Sequence, residues 1–323
     1  MHGLVVDLDC DVPPLNVPIF SALGEFTVAD WPDGFSPTTG TIRPYDETVV
    51  LRHLSPNAVA ISDGNMELYQ DGERFWLIDD RWGLCEMNLL KSHWQSWILP
   101  QPGLEPMYIV EQAVLWPMAQ LLRLKGLHLM PAVSVARENF GVLMICPFNM
   151  EPELSELVRS GFRTIGQRWT ALREEDGRIA MLRMPGKLQR IAAPCLRSGG
   201  SDERNMWVDL SEEVSGSVQH HAFCDAVVMV EPGRRPLPRM KPLHRSNALS
   251  SVRQAWPIME LHPQRRHGQL PAKMAQQCRC FSSQLSRRPH DLRYLLDQMQ
   301  YGKSGAPAKL RVTVERHLRQ VPA

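Results

Sequence analysis

Two hydrophobic periods divide this chain into elements. Between residues 48 and 78, short runs rich in β-branched and aromatic residues recur at 48–53, 58–62, 66–69 and 74–78. Asp63-Gly64 and Asp71-Gly72 punctuate them as turns, which predicts a small antiparallel sheet. Residues 106–125 carry the other period. Met107, Val110, Val114, Met118, Leu121 and Leu122 recur at three- and four-residue intervals and make one buried helical face. Pro117 lies inside that helix and predicts a kink, because it lacks an N–H and clashes with the previous turn. Gly126 is a stop. Strand-like runs follow at 129–136 and 141–146, then a helix over 152–160 ended by Gly161, then strands at 162–165 and 169–172. Strand, tight turn, helix, strand is the βαβ grammar of a nucleotide-binding core.

Residues 1–45 hold many Pro, Gly and Asp and few periodic apolar positions, so they read as an irregular lead-in. Residues 197–205 and 232–242 are connectors by composition. The organisation expected is a β-rich N-terminal module over 1–105, a core over 106–260 and a basic C-terminal segment over 261–323.

Composition changes this picture in two places. No apolar run reaches the ~18–20 residues that span a bilayer, and the first residues lack the basic start of a signal peptide, so a cytoplasmic protein is expected. The 7 cysteines form no CxxC pair, which fits reduced thiols. Cys278-Arg-Cys280 has a poor zinc spacing. Charge is strongly uneven. Residues 1–150 hold 18 Asp and Glu against 8 Lys and Arg, whereas residues 231–323 hold 18 Lys and Arg against 5 Asp and Glu. A basic third can meet an anionic partner, but no aromatic-interleaved basic motif favours nucleic acid. Packing against the acidic part, within one subunit or across a homo-oligomer, is the simpler expectation.

The residues from 121 to 188 carry a family resemblance. Leu121-Leu-Arg-Leu-Lys-Gly-Leu, Val133-Ser-Val-Ala-Arg and Gly141-Val-Leu-Met come first. Ser160-Gly-Phe-Arg, Trp169-Thr-Ala-Leu-Arg, Gly177-Arg and Pro185-Gly-Lys-Leu follow. In order and spacing they resemble the HPr serine kinase/phosphorylase-related proteins, with weaker likeness over residues 45–300 that includes Trp94-Gln-Ser-Trp97 and Val227-Val-Met-Val-Glu-Pro-Gly. The resemblance implies an α/β fold, with a P-loop-like core of the HPr-kinase/phosphoenolpyruvate-carboxykinase type behind a small β-rich N-terminal module. It also implies a tendency to oligomerise.

The chain departs from that family at each catalytic element. A phosphate loop uses glycines so that backbone N–H groups wrap the phosphates, Lys to neutralise charge, and Ser or Thr to hold magnesium. Here the strand runs into Cys146-Pro-Phe-Asn149-Met-Glu151-Pro152-Glu153-Leu, with no Gly, Lys, Ser or Thr. Two prolines remove donors. At effective dielectrics near ~20, two carboxylates ~4–6 Å from a phosphate cost several kcal/mol; at a helix start they suit its positive end. Where the family places adjacent aspartates, this chain has Gln167 and Arg168, which cannot ligate magnesium as carboxylates do. Arg168 is expected to fill the vacated volume and pair with Glu151 or Glu153. Pro131 stands where relatives carry a His.

The expectation is therefore a non-catalytic pseudokinase that scaffolds, regulates or binds a protein partner, with no cofactor and no metal. Two rival readings differ in class. One is a working kinase or sensor in which Lys187, Arg168 or Arg163 replaces the lost lysine and Glu151 and Glu153 hold metal. The other is an anion- or nucleic-acid-binding module acting through residues 231–323. Elsewhere, His220-His221 with Cys224-Asp225 reads as a strand on which His221, Phe223 and Asp225 share a face, short of partners for a metal. Cys146 has no activating base, and Trp94 and Trp97 read as core or sheet-edge packing.

Overall fold

The computed structural model describes residues 2, 4–23, 36–48, 55–62, 67–99, 103–146, 149–184, 188–191, 205–208, 210–232, 238–255, 269–285, 288 and 290–301. Residues 1–45, expected to be irregular, contain regular structure. Val6, Leu8 and Cys10 turn inward and Asp7, Asp9 and Asp11 outward, a period of two that makes β1 (Val6–Cys10). Helix α1 (Pro13–Leu23) and β2 (Thr38–Pro44) follow. Strands β3 (Val59–Ser62), β4 (Glu67–Asp71), β5 (Arg74–Asp79), β6 (Gly83–Asn88) and β7 (His93–Ile98) come next. All join one seven-stranded sheet in the order β1-β2-β7-β6-β5-β4-β3. The small antiparallel sheet expected is thus larger and mixed, since β1, β2 and β7 run parallel. Asp71-Gly72 makes the β4–β5 turn, with Gly72 at φ 58°. The Asp63-Gly64 turn and residues 49–54 lie outside the described residues.

One face of this sheet packs on the helix read from the 3.6 period. It runs as α2 (Pro106–Val110), a π-helical turn (Glu111–Leu115) and α3 (Trp116–Leu124). The disturbance expected at Pro117 takes the form of that widened turn just before it. Pro117 has no N–H for the Ala113 carbonyl, and the sheet supplies the donors: Ser96 Oγ at 2.7 Å and Trp94 Nε1 at 3.2 Å. Gly126, at φ 82°, ends the helix.

The apolar run at 129–136 divides between two sheets. β8 (His128–Pro131) is an edge of a four-stranded sheet, and β9 (Val133–Arg137) belongs to a six-stranded one. After β10 (Phe140–Ile145) come α4 (Glu151–Arg159), β11 (Arg163–Gly166), β12 (Trp169–Glu175) and β13 (Arg178–Leu182). A separate pair, β14 (Leu188–Ile191) and β15 (Asn205–Val208), precedes α5 (Leu210–Glu213). Then follow β16 (His221–Phe223), β17 (Ala226–Pro232), β18 (Arg239–Pro242), α6 (Arg245–Ala255), α7 (Gln269–Gln277), β19 (Arg279–Leu285) and α8 (His290–Tyr301). The four-stranded order is β16-β13-β12-β8 and the six-stranded order β11-β9-β10-β17-β19-β18. Both β10 and β11 are antiparallel to the β9 between them, so they run parallel across α4 as the strand–helix–strand grammar requires.

Alternation along the strands builds the layers. Leu129, Ala171 and Leu182 face the helix and the seven-stranded sheet. Met130, Leu172 and Met181 face the opposite way, against Leu143 and Val227 of the six-stranded sheet and Val252 and Met274 of α6 and α7. The far side of the six-stranded sheet is covered by Leu154 and Leu157 of α4 and Leu292, Leu295 and Leu296 of α8. No helix among the described residues is long and apolar enough to cross a membrane.

Candidate functional site

The C-terminal end of β10 and the first turn of α4 bring together most of the residues singled out above. Val142 and Met144 anchor β10 in one core cluster and Leu143 and Ile145 in the opposite one. This doubly buried strand delivers Cys146 half-buried at its end. Pro147 and Phe148 lie outside the described residues. Asn149 Oδ1 accepts the Glu151 N–H at 3.1 Å, satisfying one of the free donors of the helix start. Glu151 is only 7% exposed, and its Oε1 accepts the Ser155 hydroxyl at 2.9 Å. Pro152 occupies a position where its missing N–H costs nothing.

Glu153 is held differently. Its Oε2 is buried without a hydrogen-bond partner. Burial pushes its carboxyl above the usual range, its own backbone N–H opposes this, and the charge of Glu151 adds to the rise. The folded state thus holds this proton more tightly than the unfolded chain, and ionising Glu153 costs stability as pH rises through its folded value. Glu153→Gln should therefore melt at a higher temperature than the parent near pH 7. The difference should shrink as pH falls and vanish below the ~4.3 of an unperturbed glutamate, where the carboxyl is protonated in both states. Melting curves across that range check the sign.

A cavity of about 430 Å³ opens along the flank of α4, lined by Glu151, Pro152, Ser155, Glu156, Arg159, Glu213 and His290. Three carboxyl side chains face one guanidinium and one imidazole there, and Glu156 also pairs with Arg293 at 3.4 Å. A wall of this kind disfavours phosphate.

The second element is built at the β11–β12 corner. Gln167 is 2% exposed, and its Oε1 accepts the backbone N–H of Leu210 at 3.3 Å, so the amide anchors the start of α5. Arg168 is paired with a carboxylate other than those expected: its Nε lies 2.5 Å from Glu111 Oε1. Glu111 opens the π-helical turn and also accepts the Trp169 indole N–H at 3.4 Å. Burial pushes the Glu111 carboxyl up, and the Arg168 charge and the Trp169 hydrogen bond pull it back. The pairing arises because Trp169 packs in the core beneath the helix, which turns the neighbouring guanidinium toward that helix. Glu111 is the residue that periodicity alone passes over. Its signal is the single acidic position inside a largely buried helix. Pro131 ends β8 opposite Trp169. Arg163 is exposed on β11, and Lys187 lies outside the described residues.

The His220–Asp225 stretch is structural in geometry. His221 Nε2 lies 2.9 Å from Glu175 Oε2 and its ring meets Phe223 edge-on. Asp225 Oδ2 accepts the Gly141 N–H at 2.9 Å and its Oδ1 meets Arg178 at 3.3 Å. Trp94 and Trp97 are core residues, at 0% and 2% exposure. Among the described residues no group of three or more His, Cys, Asp or Glu side chains is placed to hold a metal ion.

No family model matches the sequence, and no curated protein matches it. Among solved structures, the HPr(Ser) kinase/phosphatase from Coxiella burnetii aligns with 54% of this chain and 93% of its own. The two are 12% identical, with a TM-score of 0.32.

Proposed function

We propose that this protein is a non-catalytic pseudokinase that acts by binding a protein partner. The observation carrying the reading is the state of the α4 N-terminus. Its first turn, where a phosphate would be gripped by free amides and the helix dipole, is furnished with the chain's own acceptors. Asn149 takes the Glu151 N–H, Glu151 is buried and hydrogen-bonded to Ser155, and Glu153 adds a second carboxyl in the same turn with its Oε2 buried. A nucleotide phosphate there would meet two carboxyl groups and no lysine, serine or threonine in the preceding loop. Arg168, the cation of the second element, is held by Glu111, so displacing it toward a phosphate would strand a buried carboxylate.

Calorimetric titration with ATP, GTP and pyrophosphate, each with and without magnesium, tests this. The expected result is no saturable heat at millimolar ligand. Saturable, magnesium-dependent binding that is lost in Glu151→Ala would overturn the proposal. It would establish instead a phosphate site in which the glutamates hold the metal.

A further inference from the structure

Three buried thiols converge at the start of the two parallel strands β17 and β19. Ala226 and Arg279 are register partners there. Cys224 lies just before the first of these strands and Cys278 just before the second. The Cys278 Sγ donates to the Cys224 carbonyl at 3.2 Å. Cys280 donates to the Cys278 carbonyl at 3.5 Å. All three residues are 7–8% exposed within one apolar cluster.

We propose that Cys224 and Cys278 are a modification site: a dithiol that hydrogen peroxide converts to a disulfide, locking the α7–β19 junction to the β16–β17 corner. Neighbouring strands lie ~4.8 Å apart, and the register sets these two cysteines one residue, ~3.3 Å, out of line, a separation of ~6 Å that falls within the Cα range of ~4.4–6.8 Å that a disulfide bridges. Cys278 and Cys280 are two residues apart along extended chain, ~6.6 Å, at the limit of that range. The chemistry balances with peroxide alone. One sulfur, as thiolate, attacks a peroxide oxygen, the O–O bond breaks, and a sulfenic acid forms while the released hydroxide takes up a proton to become water. The second sulfur then displaces the sulfenic hydroxyl, which leaves as a second water with that thiol's proton. The two sulfurs are oxidised, the peroxide is reduced, and a dithiol reductant reverses the bond.

The pair is gated. Contact with the Cys278 thiol, and burial after it, push the Cys224 thiol well above its ordinary range, so the closed structure presents little thiolate. Access requires the last turn of α7 to lift. That turn is tied to the β12–β13 hairpin by the Lys273–Glu174 ion pair and by Gln277 Nε2 on the Gly177 carbonyl at 2.8 Å. Asp225, next to Cys224, holds the Gly141 N–H at the head of β10, so the lock would act on the end of that strand opposite the candidate site.

The test uses the full chain, treated with hydrogen peroxide, blocked with an alkylating reagent and digested with trypsin without reduction. Cleavage after Lys273 and Arg279 isolates Cys278 from Cys280, and Cys224 is alone between Arg204 and Arg234. The expected product is a linked pair of these two peptides, abolished by dithiothreitol and retained in Cys280→Ser. Weakening the gate with Lys273→Ala should speed its formation about two- to fivefold. Unlinked Cys224 and Cys278 peptides under conditions that oxidise the less buried Cys10 and Cys146 would overturn the proposal, as would linkage of Cys278 to Cys280. A rate unchanged in Lys273→Ala would overturn the gate.

Discussion

Alanine at position 141 is expected to cost about 3 kcal/mol or more, the upper range for overpacking a closed site. A Cβ on Gly141 would stand 2.1 Å from the Phe223 carbonyl oxygen and 2.7 Å from Met181 Cε. The methionine can turn aside, but the carbonyl is backbone and cannot. Nor can the strand slide away. Both the N–H and the C=O of Gly141 are tied to Asp225, each at 2.9 Å, so any shift that relieves the contact breaks the corner joining β16 to β17. That corner is where the four-stranded and six-stranded sheets meet. Gly72→Ala is the control. It has nothing within 4 Å but sits at φ 58°, so its cost is the backbone cost of a left-handed residue, about 1–2 kcal/mol. Urea unfolding of both variants checks the ranking. A Gly141→Ala protein within ~0.5 kcal/mol of the parent would mean that the two sheets separate more easily than this packing implies.

The contrast between positions 141 and 72 shows which parts of the fold were legible in the sequence. Asp71-Gly72 between two β-prone runs is a local signal, and the turn forms there. The helix over 106–125 was legible because its buried face repeats every three to four residues. Gly141 looks like any glycine at a strand start, because what constrains it arrives from residues 223 and 225. The same limit explains the misses. Val6, Leu8 and Cys10 alternate with aspartates, yet β1 pairs in parallel with a strand some thirty residues on, across a connection that no hairpin signal marks. The apolar run at 129–136 carries no mark of which sheet each half joins. It divides at Ala132, whose carbonyl accepts the Thr170 hydroxyl at 2.9 Å. At the candidate site, residue types were legible and partners were not. An arginine in place of an aspartate is visible in the sequence, but its pairing with Glu111, 57 positions away, depends on how Trp169 packs.

The second large effect is expected at Trp94. Its side chain is fully buried and its ring lies over Gly40, where a Cβ would fall 2.1 Å from the indole. Glycine at position 40 and tryptophan at 94 are therefore one packing decision made on adjacent strands. Trp94→Ala should cost about 3–5 kcal/mol, because the void beside a glycine has no side chain to collapse into it. Trp94→Phe separates packing from hydrogen bonding. It keeps most of the ring and loses the Nε1–H that serves the Ala113 carbonyl, so about 1–2 kcal/mol is expected. Ser96→Ala, which removes the shorter 2.7 Å bond to the same oxygen, should cost a similar ~1 kcal/mol. Combining Trp94→Phe with Ser96→Ala should exceed the sum of the two singles. Either donor alone still satisfies the carbonyl that Pro117 leaves open, whereas losing both buries it unpaired. A strictly additive double variant would mean that the π-helical turn finds that oxygen another donor.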